Sequence, residues 1–357
     1  MRVAQVCPRY WPYIGGVEVH VEDVSTELAK RGFEVEVLTT YSSDDMLVED
    51  EQKAIKIKRF KSYAPRESYH FSSELNRYLY DYSNDYDIVH AHSYHGFPAF
   101  YAARAKDKNR FVFTPHYHGS GHTLFRSLLH KPYKLFGKSI FEKADFVICV
   151  SDYEKSLVLE NFEINTEKIK VIPNGVNLEE FKSLRKKKRD YRTILYVGRL
   201  EKYKGVQYIL MAMSKLDHDI FFEIVGSGPY EKRLLELAQQ LGIENRVKFF
   251  KNLPRPQLLQ KYADADLFVL LSAHEAFGLS TAESLAARTP CILAKTSGLV
   301  EWIDNKNCFG VNFPINIDEL VVLINEVIGK KLGEVNLWDW KKVVDSLTKV
   351  YESIVEI

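Results

Sequence analysis

Several short stretches of this 357-residue chain combine glycines, fixed cations and carboxylates in patterns that suit an anionic ligand. The densest is His274-Glu275-Ala276-Phe277-Gly278-Leu279-Ser280-Thr281-Ala282-Glu283. It follows an apolar run and opens a helical pattern, so the amides of Gly278, Leu279 and Ser280 are expected at a helix N-terminus, where anions bind. Glu275 stands in the loop before that helix, free to accept hydrogen bonds from hydroxyl groups. Glu283 has two readings, because Ser280-Thr281-Ala282-Glu283 is also a capping-box pattern, and periodicity alone favours the cap. A second stretch, Gly198-Arg199-Leu200-Glu201-Lys202-Tyr203-Lys204-Gly205, carries two cations away from one strand end. Arg199 and Lys204 can converge on one anion, and two cations beside a helix terminus suit a diphosphate better than a lone carboxylate. A pair of surface cations fits the same spacing. Gly226-Ser227-Gly228-Pro229 begins like a dinucleotide fingerprint, but residue 231 is Glu rather than the third glycine, which disfavours NAD. Near the N-terminus, Gly15-Gly16-Val17-Glu18 follows the first apolar run. Glycines there let the backbone approach a ligand, and a tight turn is the plainer reading.

Histidines form two further patterns, His90-Ala91-His92 and His116-Tyr117-His118, both at expected strand ends. Alternate strand positions face one way, so each pattern could offer two imidazoles to a metal, as in a metal-dependent hydrolase. Carboxylate co-ligands are not evident nearby, and the preferred reading is histidines that satisfy backbone groups; no metal is expected. Asp-x-Asp pairs at 85/87, 217/219 and 264/266 each introduce an expected strand, where they serve turn chemistry rather than a divalent cation.

The elements that must position these residues alternate along the whole chain. Strands are expected at Val3–Val6, Glu34–Thr39, Ala54–Phe60, Asp87–Ala91, Phe111–Thr114, Phe146–Val150 and Ile169–Ile172. A helical pattern from about Val17 stops at Gly32, a natural C-terminal glycine. Pro173-Asn174-Gly175 then makes a turn, and Lys182–Arg192 reads as a basic, solvated linker. The alternation restarts with Ile194–Gly198, Phe221–Val225, Val247–Phe250, Leu267–Leu271 and Cys291–Ala294. Strand followed by helix, repeated, means parallel sheets with helices on both faces. The expected fold class is therefore α/β, two doubly wound domains joined near residue 175, with a separate amphipathic helix from Trp338 to Ile357.

Lys plus Arg total 49 and Asp plus Glu 48, a net charge of +1 that argues against a dedicated nucleic-acid binder. The best apolar run, Leu267–Leu271, is far short of a membrane span. Cysteines at 7, 149, 291 and 308 form no CxxC pair, which favours a reducing cytoplasm over a disulfide framework or a zinc ribbon. Residues 122–143 mix Arg126, Lys131, Lys134 and Lys138 with Leu and Phe. That segment could rest on an anionic inner membrane face, and a core helix with a solvated basic face is the preferred reading.

Taken together, Gly15-Gly16-Val17-Glu18, Thr114-Pro115-His116, Pro173-Asn174-Gly175-Val176, Val197-Gly198-Arg199 with Lys204-Gly205, Gly226-Ser227-Gly228-Pro229 and Glu275-x7-Glu283 resemble the retaining nucleotide-sugar glycosyltransferases of family four. The resemblance covers essentially the whole chain and implies the GT-B fold, two Rossmann-like domains facing a cleft. It implies an acceptor-side domain of residues 1–174, with 338–357 crossing back onto it, and a donor-binding domain of residues 175–337. Arg199 and Lys204 would grip the donor diphosphate, helped by backbone at Gly15, Gly16, Gly226, Gly278, Leu279 and Ser280. Glu275 and Phe277 would line the sugar site, Glu283 would bind the ribose in place of capping, and His116 would be the active-site histidine. Leu253 would recognise the base through its backbone. The chain departs from the family pattern at Leu271 before Ser272, at Asn252 where glycine is common, and at Ala276 in a frequent glycine position.

The function implied is hexosyl transfer from a nucleoside-diphosphate sugar, UDP-sugar before GDP-mannose, to an acceptor hydroxyl that the sequence leaves open among a lipid-linked sugar, an inositol phosphate, another saccharide and a small metabolite. No cofactor or metal is implied. The same fold serves a sugar 2-epimerase, and a non-catalytic nucleotide-sugar-binding subunit is the reading from a different class.

Overall fold

The computed structural model describes residues 1–13, 15–42, 48–65, 68–119, 133 and 136–355. They form two compact units, Met1–Gly175 with Trp338–Ile357, and Val176–Leu337.

The first unit is built on eight strands: β1 (Arg2–Val6), β2 (Glu34–Tyr41), β3 (Glu49–Gln52), β4 (Ile55–Lys61), β5 (Ile88–His92), β6 (Arg110–Thr114), β7 (Phe146–Cys149) and β8 (Ile169–Val171). Their order is β3-β4-β2-β1-β5-β6-β7-β8, and the neighbours are parallel except for the antiparallel pair β3–β4. Helices cover the faces, so the central strands are buried throughout; β5 has no exposed residue. Strand β3 was not among the expected strands. Its sequence, Glu-Asp-Glu-Gln, has no apolar alternation, and it is held as a charged edge with Glu49 3.2 Å from Lys58 of β4.

The helix Gly16–Lys30 ends at Gly32, whose amide donates to the Ala29 carbonyl at 2.9 Å, as the glycine signal implies. The last helix, Trp340–Val355, begins where the Asp339 carboxylate accepts the Lys342 amide at 2.8 Å. It buries Trp340, Val343, Val344, Leu347, Val350, Tyr351 and Ile354, a three-and-four spacing that keeps one apolar stripe. That stripe shares a core with Val21, Val24 and Leu28 of the helix Gly16–Lys30, so the chain does return to its first unit. Of the segment 122–143, residues 122–132, 134 and 135 lie outside the described residues, and 136–143 are helical. No described helix is long and apolar enough to cross a membrane.

The second unit has six strands: β9 (Arg192–Val197), β10 (Ile220–Val225), β11 (Val247–Phe250), β12 (Leu267–Leu270), β13 (Cys291–Ala294) and β14 (Cys308–Val311). All pairs are parallel in the order β11-β10-β9-β12-β13-β14. Counted from β9 this is 3-2-1-4-5-6, the dinucleotide-fold order, in which the direction of winding reverses between the first and fourth strands. Strand β14 was also unforeseen, being a four-residue Cys-Phe-Gly-Val segment after a polar turn.

Lys182–Arg192 is not a free linker. Lys186 meets Asp266 at 2.6 Å, Arg189 meets the buried Asp264 at 2.7 Å, and the Lys187 amide donates to Asp264 at 3.0 Å. The charge run thus ties onto the Asp264/Asp266 pair. Asp266 also accepts the Thr193 amide of β9 at 2.8 Å, the strand-entry role expected of these pairs.

Candidate functional site

Ligands in open parallel sheets bind beyond the carboxyl ends of the strands, at the reversal of winding. In the second unit that point lies between β9 and β12, and the loops leaving these strands carry Arg199, Lys204 and Glu275. Lys204 Nζ lies 2.5 Å from Glu275 Oε1, with both side chains largely buried. Burial pulls the Lys204 ammonium down, but the Glu275 carboxylate and the Tyr203 hydroxyl outweigh it, so its pKa is raised. Arg199 is half-exposed, 3.4 Å from Glu201, and its charge is felt at both Lys204 and Tyr203. The two cations expected to act together are therefore within electrostatic reach of each other, around the Tyr203 ring that Lys204 Nζ overlies at 5.2 Å.

Glycines let these loops close on one another. Gly205 has φ +77°, and a Cβ there would stand 2.3 Å from the Leu271 carbonyl. Gly226, at φ +145°, would meet the Gly198 carbonyl at 2.0 Å. The Ala273 amide donates to the Tyr203 carbonyl at 2.8 Å, and the Leu200 amide to the Ser227 carbonyl at 2.9 Å. The strand ends of β9, β10 and β12 thus form one packed platform. The Glu275 amide is held by Ser297 Oγ at 3.0 Å, and the Glu275 carbonyl by the Gly298 amide at 2.9 Å. Neither Ser297 nor Gly298 stood out in the sequence, since no motif joins them to the 274–283 stretch.

The helix after this loop is Leu279–Ala286, with Gly278 as its N-cap. Ser280 is inside the helix, so the Ser280–Glu283 capping box does not form. The Thr281 and Ala282 amides both reach the Gly278 carbonyl, which places the amides of Leu279 and Ser280 in the open first turn. Glu283 is buried and bound to Arg255, which also bonds Glu180 at 2.8 Å. Burial lowers the Arg255 pKa less than Glu283 and Glu180 raise it, so the guanidinium stays charged. Arg255 was not singled out in the sequence; it lies 28 residues from Glu283 with no motif linking them. Phe277 packs edge-on to Trp302, whose indole donates to the Phe277 carbonyl at 2.7 Å. Asn252, in the common glycine position, has φ +49°, a conformation asparagine tolerates better than most residues. Leu253 follows it and packs, partly buried, on the core of the second unit.

In the first unit, Gly15 is the N-cap and Gly16 the first residue of the helix Gly16–Lys30. The two His-x-His patterns separate. His90 is tied to Tyr351 at 2.7 Å and Thr114 at 2.8 Å. His118 stacks on His95, with ring centroids 4.7 Å apart. His92 and His116 instead gather with His20, one from each pattern and one from a helix. Burial holds the His20 imidazole down at about 4, and it drives His90, His92 and His116 well below the usual value, with neighbouring imidazoles adding to the effect. These rings are neutral at physiological pH. His116 also has φ +47°, a strained backbone for a non-glycine residue.

Two Rossmann-like units, one bearing a cation and carboxylate site at its winding reversal, define an enzyme of the GT-B class. Residues 14–180 match the family model described as Glycosyltransferase Family 4, and residues 177–336 match Glycosyl transferases group 1. An uncharacterized glycosyltransferase of Methanocaldococcus jannaschii is 27% identical, over 100% of this chain and 99% of its own. The alpha-monoglucosyldiacylglycerol synthase of Streptococcus pneumoniae is 29% identical over 86% of this chain and 74% of its own. Anabaena HepE, solved in complex with UDP and glucose, aligns with TM-score 0.80 at 20% identity, over 99% of this chain and 100% of that one. The chain belongs to the family-four glycosyltransferases.

Proposed function

We propose that the chain transfers a hexosyl group from a nucleoside-diphosphate sugar to an acceptor hydroxyl with retention of anomeric configuration. The observation that carries this reading is the buried Lys204–Glu275 pair beside Arg199, at the winding reversal of the second unit. A uridine donor is favoured by the UDP and glucose bound in the HepE structure. The acceptor is a sugar or a lipid-linked hydroxyl, in keeping with the diacylglycerol glycolipid named in the pneumococcal relative.

In this reading the bond from the anomeric carbon to the diphosphate oxygen breaks as positive charge builds on the ring. Arg199, Lys204 and the open first turn at Leu279 and Ser280 stabilise the departing diphosphate where its charge develops. They do so without a metal at the phosphates. Glu275 serves two partners: it keeps Lys204 charged and accepts hydrogen bonds from sugar hydroxyls. Glu283, oriented by Arg255, holds the ribose. The acceptor oxygen bonds to the anomeric carbon on the face the diphosphate leaves, and its proton passes to the departing phosphate oxygen. Gly15, Gly16 and His116 are assigned to donor and sugar through the family resemblance.

The test measures UDP binding by calorimetry and transfer from UDP-glucose to a panel of acceptors. Arg199→Ala and Glu275→Ala are expected to lower transfer by about 10²–10³-fold, the size of losing one charge-stabilising group. Arg199→Ala is also expected to weaken UDP binding, and chelator is expected to leave that binding unchanged. Wild-type rates in both variants overturn the site. Donor conversion without acceptor identifies an epimerase, and binding without turnover a non-catalytic subunit.

A further inference from the structure

The first unit has a reversal of winding of its own, between β1 and β5. Buried polar side chains concentrate there: Gln5 on β1, His92 at the end of β5, and His20 on the helix after β1. His116 follows β6, and Asn174 follows β8. One ring nitrogen from each of His20, His92 and His116 lies within 4.8 Å of the others.

The hydrogen bonds around two of these rings fix which nitrogens carry protons. Gln5 Nε2 donates to the Tyr351 hydroxyl at 3.3 Å, so its other atom, Oε1, is the one 2.6 Å from His92 Nε2. A carbonyl oxygen only accepts, so His92 carries its proton on Nε2. Its Nδ1 is left as a bare lone pair, buried and without a hydrogen-bond partner. His20 Nδ1 faces Asn174 Oδ1 at 2.8 Å, so its proton is on Nδ1 and its lone pair on Nε2. His116 Nε2 is likewise buried without a partner. His92 Nδ1 and His116 Nε2 are thus buried ring nitrogens that no hydrogen bond satisfies, beside the lone pair left on His20, and an electron acceptor among the three rings would satisfy them. Each of two rings is oriented by an amide oxygen on its far nitrogen, the arrangement that fixes tautomer and direction in metal-binding histidines.

We propose that His20, His92 and His116 bind one divalent first-row transition ion of the zinc type, with Gln5 and Asn174 positioning His92 and His20. Three imidazoles without thiolate or carboxylate suit zinc, cobalt, nickel or copper and not magnesium or calcium. Three protein ligands leave a fourth position open. Metal–nitrogen bonds of about 2.0–2.1 Å require the rings to draw together slightly. Of the three ligands, His116 is also given a part in the proposed reaction while His20 and His92 are not; ion binding is measured without turnover, so its failure and the failure of that reaction are distinguishable.

The experiment strips the full chain with chelator, then titrates Co²⁺ by visible absorption and Zn²⁺ by calorimetry. One ion per chain is expected, with the intense visible band of four-coordinate cobalt and a rise in melting temperature on adding Zn²⁺. His92→Ala and His20→Ala are expected to weaken binding by at least about 100-fold, while the exposed His218→Ala leaves it unchanged. Asn174→Asp is expected to tighten binding and Asn174→Ala to weaken it about 10-fold, a pair of opposite shifts that a purely structural asparagine does not produce. If His92→Ala or His20→Ala fails to fold, His116→Ala, at the least buried ligand, decides. No saturable binding by the wild-type chain overturns the proposal. So does binding that survives the loss of these histidines, which places the ion elsewhere.

Discussion

Lys204 shows how one residue can serve stability and chemistry at once. Its ammonium is buried, a position that costs several kcal/mol unless a partner offsets it, and Glu275 is that partner at 2.5 Å. The net result is a pKa raised above the usual 10.5. A lysine raised on folding contributes stability that is fully present below its unfolded value and is lost as pH rises through the folded value. Melting temperature and UDP affinity are therefore expected to owe no pH dependence to Lys204 from pH 6 to 9, with its contribution lost only above 10.5. Lys204→Met removes the cation but leaves the Glu275 carboxylate in a half-buried loop. It is expected to destabilise the chain by about 1–3 kcal/mol, the cost of an orphaned polar group, and to abolish the alkaline loss. Melting curves of both proteins between pH 6 and 11 check this; an alkaline transition unchanged in the variant would assign it to another group.

At the scale of elements, the parallel strands and the loops leaving them were legible because buried strands read as apolar runs and because glycine, proline and cations mark their ends. Ile194–Gly198 followed by Arg199 and Lys204 is such a case: the residue types alone locate the loop. The two unforeseen strands lack that signal. Strand β3 is wholly charged or polar and exists through its pairing with β4, while β14 takes its place from the turn before it. The Arg255 contact with Glu283 was illegible for a related reason, since tertiary packing creates it and nothing in the spacing does. The turn before β14 is organised by Asp304, whose carboxylate accepts the amides of Lys306, Asn307 and Cys308 at 2.9, 2.7 and 2.9 Å. Burial raises the Asp304 pKa less than these amides lower it, so the net shift is downward. A depressed carboxylate stabilises above its unfolded pKa and loses that contribution as pH falls through the folded value. Asp304→Ala is expected to cost about 1–2 kcal/mol at neutral pH, the size of a lost capping residue. The difference from wild type should shrink below pH 3.8. Urea melts at pH 7 and pH 3 measure it, and equal differences at both would show that the amide contacts do not depend on the charge.

For the whole molecule, the two units differ in how their cores are assembled. Among the described residues, the core around β9–β14 draws only on those between Ile194 and Leu337. The first unit instead depends on a helix that arrives after the second unit has been completed. Seven side chains of Trp340–Val355 are buried on it, and at about 1.5–3 kcal/mol each their burial exceeds 10 kcal/mol, as much as a whole domain's net stability. Tyr351 adds a specific role, since its hydroxyl joins Gln5 and His90 inside the sheet. Loss of that helix exposes the apolar faces of Val21, Val24 and Leu28 and strands those buried polar groups. Ending the chain at Leu337 is therefore expected to unfold the first unit and spare the second. Calorimetry of the shortened chain should show one cooperative transition of about the size due to 162 residues, coincident with that of an isolated Val176–Leu337 fragment. UDP should still raise that transition, because Arg199, Lys204, Glu275 and the first turn at Leu279 all belong to the surviving unit. Two transitions would show that the first unit stands without its last helix. A single transition deaf to UDP would show that the surviving residues do not suffice to hold a nucleotide.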